Sequence, residues 1–184
     1  MKLQMNHNDI SARAQGDLIR ACIHEAAHLI TAFQLGVAGK FDVWACEPET
    51  TEEAISQSWF TGRCTIYGQL PTPEARTLWG LAGNLAEMVH ENPSAENWQI
   101  LETFDESTYS PEEVISATDL SAIGDLDHAW RNGLVEKALS MVVANWPDIL
   151  QEAELYAQDE AAQDEAHQIA KAVSRLFSVQ EGQP

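Results

Sequence analysis

The 184 residues carry 29 acidic against 10 basic side chains, a formal net charge of −19, with 45% hydrophobic content. So acidic a chain is not expected to bind nucleic acid through its phosphates, while the apolar fraction suffices for one sizeable core. Cys22, Cys46 and Cys64 are odd in number and widely spaced, which excludes a disulfide framework and a cysteine zinc ribbon.

No Gly/Ser/Pro-rich linker and no internal repeat divides the sequence, so a single domain over 1–184 is expected. Met1 to Ile10 lacks the apolar stretch of a signal peptide, and no run approaches the roughly 18 apolar residues of a membrane span. The expectation is a cytoplasmic protein with no membrane partner, its first polar residues, His7 among them, forming a flexible end.

The first predicted element is a helix from Asp17 to Leu35, without Pro, whose apolar residues (Leu18, Ile19, Cys22, Ile23, Ala26, Leu29, Ile30, Phe33) recur at helical spacing before Gly36. Inside it stands His24-Glu25-Ala26-Ala27-His28, an HExxH pattern. Residues four apart share one helix face, about 5–6 Å between Cβ atoms, so His24 and His28 can close on one ion. Glu25 is turned about a quarter of a revolution away from them. It stands beside the ion, where a general base takes a proton from a water made acidic by zinc. Two histidines need a third ligand and an open fourth position. Cys22, on the apolar side of the same helix, is expected to be a small buried residue.

Downstream the period changes. Phe41–Cys46 and Trp59–Tyr67 are rich in aromatic and β-branched residues and are expected to be short strands, joined by an acidic loop over Glu47 to Glu53. Thr72 as N-cap and Pro73 at the first position predict a helix from Pro73 to about Glu91, stopped by Asn92-Pro93. Leu78, Leu81, Leu85, Met88 and Val89 form its core face. Gly80 and Gly83 cost that helix about 1 kcal/mol each relative to Ala, which makes sense if another helix packs closely there. Ser110-Pro111-Glu112-Glu113 predicts a short helix through Ala117. Asp119 to Asn145 reads as mostly helical, with Gly124 and Gly133 as candidate breaks and Pro147 as stop, and Asp148 to Val179 as helical again. The expected class is mainly α, in the α+β sense of helices with a small sheet after the HExxH helix.

Three segments in this order resemble the peptidase domain of the FtsH-type ATP-dependent zinc metalloproteases: His24-Glu25-Ala26-Ala27-His28, Gly83-Asn84-Leu85-Ala86-Glu87, and Ser121 to Ala129 with Gly124-Asp125 at its centre. The resemblance spans roughly 18–146 and implies a helical zincin-like peptidase. In that family an aspartate of the third segment completes the zinc site, and matching residue by residue puts this role on Asp125. The residues themselves leave Asp119, Asp127 and Glu87 as further carboxylates; Asp119 ranks next, Glu87 reads as a partner that orients a ligand histidine, and Asp127 as solvated. His90 and His128 are expected to be ordinary helix residues. Ala27 replaces a glycine usual in the family, a change a helix favours.

The resemblance implies a zinc-dependent metallopeptidase with metal ligands His24, His28 and Asp125 and with Glu25 as base, acting by a zinc-activated water. The chain holds no Walker-type Gly-rich loop. Unfolded or flexible polypeptides are therefore the expected substrates, received along the edge of the Trp59–Tyr67 strand, with a separate ATPase or a homo-oligomer as optional partners. Two rival readings are a catalytically silent zinc-binding adaptor and an acidic interaction protein without metal.

Overall fold

The computed structural model describes residues 6–108, 110–111 and 115–181. Helix α1 (His7–Gln34) starts well before the predicted Asp17. Asn6 caps it by accepting from the Asp9 N–H at 3.0 Å, and the Asp9 carboxylate accepts in return from the Asn6 N–H at 3.4 Å. Ile10, Ala14, Leu18 and Cys22, four apart and all buried, extend the core stripe through this added length. The polar start read as a flexible end is thus helical from His7.

Strands β1 (Gly39–Ala45) and β2 (Phe60–Ile66) form an antiparallel pair with Val43 opposite Gly62. Between them the acidic stretch is not all loop. Helix α2 (Thr51–Ser56) begins there, capped by Thr50, whose hydroxyl accepts from the Glu53 N–H at 3.1 Å. The side chain of Trp59, fully buried, pins this connection by donating from its indole to Ala54 O at 3.0 Å.

The phase of the ladder follows from Cys46 N–H donating to Trp59 O and Tyr67 N–H to Ala38 O. In an antiparallel pair, inward and outward main-chain groups alternate, so those of Val43 and Ala45 point away from β2, and those of Gly62 and Cys64 away from β1. The outer edge of β1 is occupied. Tyr156 both accepts from the Val43 N–H (2.9 Å) and donates to its carbonyl (3.1 Å), and Glu165 accepts from the Ala45 N–H at 3.0 Å. The outer edge of β2 is turned instead toward α1.

Helix α3 (Pro73–Glu91) has the predicted bounds, with Thr72 accepting from the Ala75 N–H at 3.0 Å. Then follow α4 (Asn97–Ser107), α5 (Ala117–Ile123), α6 (Leu126–Arg131), α7 (Leu134–Ala144), α8 (Trp146–Ala157) and α9 (Glu160–Glu181). Gly124 (φ 76°) separates α5 from α6 and Gly133 (φ 68°) separates α6 from α7, a conformation that L side chains rarely adopt. Both suspected breaks are real. Pro147 does not stop a helix; it sits in the first turn of α8, where its missing N–H costs nothing. Of the short helix predicted from Ser110 to Ala117, residues 112–114 lie outside the described residues, while Ser116 caps and Ala117 opens α5.

The result is a mainly helical protein with one two-stranded sheet. Helix α1 is its axis, packed by α3, α8, α9 and both strands. Among the described residues no helix is long and apolar enough to cross a membrane. Gly83 of α3 lies against His24 of α1 and the Trp79 carbonyl against His28, so the two helices run antiparallel at contact distance. At Gly80 the intimate neighbour is α5: an added Cβ would stand 2.9 Å from the Ala122 Cβ and 3.0 Å from the Asp119 carbonyl. The close packing expected at the two glycines is present.

Gly80→Ala should therefore destabilise the protein by about 1–3 kcal/mol, overpacking outweighing the roughly 1 kcal/mol of helix propensity that alanine adds. Urea unfolding measures this, and a more stable variant would show that α5 does not seat there.

Candidate metal centre

The HExxH turn of α1 delivers both imidazoles to one point, and α5 brings a carboxylate to meet them. His24 Nε2 and His28 Nε2 are 3.1 Å apart; Asp119 Oδ2 is 3.2 Å from the first, and its Oδ1 is 3.2 Å from the second. Tetrahedral coordination with bonds of about 2.0 Å has edges of about 3.3 Å. The triangle of donor atoms already has that size, so His24, His28 and Asp119 can hold a metal ion.

Their chemistry agrees with their spacing. His28 Nδ1 is 2.7 Å from the Trp79 carbonyl, which can only accept, so Nδ1 carries the proton and neutral His28 presents a lone pair at Nε2. His24 Nδ1 is 2.5 Å from Glu87 Oε1, which imposes the same tautomer. Two lone pairs and an anionic carboxylate therefore face one another. A single proton matches only one of the pairs; a divalent cation matches all three.

In the metal-free protein a proton takes that role in part. Burial opposes charge on His24, but the hydrogen bonds to Asp119 and Glu87 outweigh it and push its pKa up to about 10. The same contacts, against the cost of burial, hold Asp119 far below the ordinary aspartate range. These are two views of one ion pair. Asp119 is 4% exposed, and its Oδ2 also accepts from the Ser116 hydroxyl at 2.9 Å.

Glu25 lies outside the triangle. It is buried under β2, so close to Gly62 that a Cβ there would stand 2.5 Å from the Glu25 Cγ. Burial raises its pKa, with His24, His28 and a hydrogen bond from the Cys64 backbone pulling the other way. A cleft of about 680 Å³ opens over these groups, bordered by β2, by Trp79, Asn84 and Glu87 of α3, and by Ser116 to Asp119.

The structure brings together His24, Glu25 and His28 and leaves Asp125 apart. Asp125 is exposed and caps α6, accepting from the His128 N–H at 2.9 Å. The carboxylate beside the histidines is Asp119, six residues earlier, because Gly124 turns the chain between α5 and α6 and it is α5 that docks on α3. Glu87 orients His24, as expected, and is itself steadied by Arg20 at 3.8 Å. Asp127 and His128 are exposed. Cys22, Cys46 and Cys64 are unpaired, and burial pushes the Cys22 thiol up to about 12. Trp79 and Ser116 carry no signal in the sequence, where each looks like an ordinary helix residue, and Asn84 figures there only as part of the Gly83–Glu87 segment.

A scan against protein-family models and a search of curated proteins returned no match. The likeness to FtsH-type peptidases therefore rests on the three sequence segments alone.

Asp119→Asn and His28→Ala should each abolish stoichiometric zinc, whereas Asp125→Ala should keep it and lose about 1 kcal/mol of stability with its cap. Full zinc in Asp119→Asn would remove Asp119 from the site. The proton on His24 must leave before a metal binds, so affinity should fall as pH drops below about 10, and binding near neutral pH should release about one proton per ion. Calorimetry in buffers of differing ionisation enthalpy reads this directly; zinc uptake without proton release would mean that His24 is not charged in the metal-free protein.

Proposed function

We propose that this protein is a zinc-dependent metallopeptidase with a zincin-like arrangement of the FtsH type, in which Glu25 is the general base. The observation that carries the reading is the placement of Glu25: a buried carboxylate beside, not within, a convergence of two imidazole lone pairs and Asp119, under an open cleft. Two neutral imidazoles and one carboxylate are a set that suits zinc, with one position left for water or substrate. When bound there, zinc would lower the pKa of a water and polarise a carbonyl.

The chain's own residues supply the rest. Glu25 takes the proton of the attacking water and returns it to the leaving amine, and the raised pKa that burial gives it suits both tasks. Glu87 and the Trp79 carbonyl hold the histidines in the tautomer that leaves each Nε2 free. The strand beside the base offers main-chain groups to an extended peptide, which gives affinity with little sequence preference.

The register specifies which groups those are. Gly62 and Cys64 point outward, with the Cys64 N–H engaged by Glu25, whereas Thr65 is hydrogen-bonded to Lys40 within the sheet. A proline at Thr65, the natural first choice for blocking the edge, would damage the sheet itself; Gly62 is the residue whose main chain is free to meet a substrate. A segment that pairs with a strand edge must be extended. Unfolded polypeptides or flexible termini are the substrates this favours, with folded proteins spared unless a separate unfoldase acts first.

Glu25→Gln should keep one zinc per chain and an unchanged fold while lowering cleavage of a denatured polypeptide at least 100-fold, about the lower end of what a general base contributes. Cleavage at the wild-type rate in Glu25→Gln would remove Glu25 as base. Zinc binding with no cleavage by the wild-type protein would favour an adaptor.

A further inference from the structure

Two buried N–H groups, on residues that border the cleft, have no acceptor. Asn84 and Trp79 both border it and are 7% and 9% exposed, and neither the Asn84 Nδ2 nor the Trp79 Nε1 has a hydrogen-bond partner. Buried donors are paired in the great majority of cases, because an unpaired one forfeits its hydration for nothing. The Trp130 indole is also unpaired, but it does not border the cleft. Asn84 is placed close to the reacting centre. It follows Gly83, which packs on the His24 ring, and precedes by one turn Glu87, which holds His24 Nδ1.

An extended peptide has two hydrogen-bonding edges. One can pair with the outward groups of β2; the other then faces the opposite border of the cleft, where α3 stands. We propose that Asn84 is a substrate-binding residue whose side-chain amide hydrogen-bonds the main chain of a polypeptide in the cleft, on the edge turned away from β2. This rests on the peptidase reading above. A carboxamide carries one acceptor and one donor group, the same pair as a peptide unit, so it serves any sequence. The unmet group on Asn84 is then explained as one completed by substrate.

A purely structural asparagine and a substrate-binding one respond oppositely to Asn84→Leu. Removing a buried donor that has no partner should leave the melting temperature of the free protein unchanged or raise it, whereas losing a structural contact would lower it. The test measures melting temperature, zinc content, and binding of a labelled, reduced and alkylated polypeptide, with Glu25→Gln as the parent so that nothing is cleaved. Adding Asn84→Leu should weaken binding about tenfold, with zinc and melting temperature retained, and adding Asn84→Asp, which keeps the shape but loses the donor, should weaken binding as well. In a Glu25-intact background, KM should rise with kcat little changed. Unaltered polypeptide binding in both variants, or a clear fall in melting temperature with Asn84→Leu, would overturn the proposal. Failure of the Glu25→Gln parent to bind polypeptide at all would overturn the peptidase reading itself, and this proposal with it.

Discussion

Two imidazole nitrogens that present lone pairs when neutral, His24 Nε2 and His28 Nε2, are forced to within 3.2 Å of each other and of the Asp119 carboxylate, and much of the molecule exists to keep them there. Without a positive charge among them they would repel. The repulsion is fixed in place by partners on the far side of each ring, the Trp79 carbonyl for His28 and Glu87 for His24, which hold the protons away from the shared point. A positive charge is the only occupant that turns this arrangement from a cost into a gain, and a metal ion serves all three groups at once.

The approach is made possible by small residues at the crossings. Gly83 lets α3 lie flat against the His24 ring, Gly80 lets α5 settle low enough to present Asp119, and Gly62 lets β2 close over Glu25. Any Cβ at these positions meets an atom of the site or of its supports. Helix α1, pinned by its long apolar stripe, is the common reference for all three contacts. The sheet is asymmetric for a related reason: Tyr156 and Glu165 cap the main chain of β1, so the edge with outward groups to offer is the one beside the base.

How much of this can be read without coordinates varies with the range of the interactions involved. The HExxH turn is a local pattern, and so is the Thr72-Pro73 start of α3; both are legible, the first lying on a helix as expected and the second opening a helix with the expected bounds. The N-terminal turns of α1 were missed because Ile10 and Ala14 were hidden among polar residues, although their four-residue spacing continued the stripe. Choosing Asp119 over Asp125 needed tertiary information. Both are aspartates near helix starts, and the one that serves the site is set by the docking of α5 on Gly80 and by the turn at Gly124, neither of which local sequence specifies. The segment match points to Asp125, which in this structure caps the next helix.

Anomalous diffraction at the zinc edge from crystals of the protein grown with zinc tests the central arrangement most directly. One peak is expected per chain, about 2.0–2.1 Å from His24 Nε2, His28 Nε2 and a carboxylate oxygen of Asp119, with Asp125 remote from it. A peak bound by Asp125 or by residues outside this triangle would contradict it, as would an ordered triangle held together by a proton while zinc is in excess.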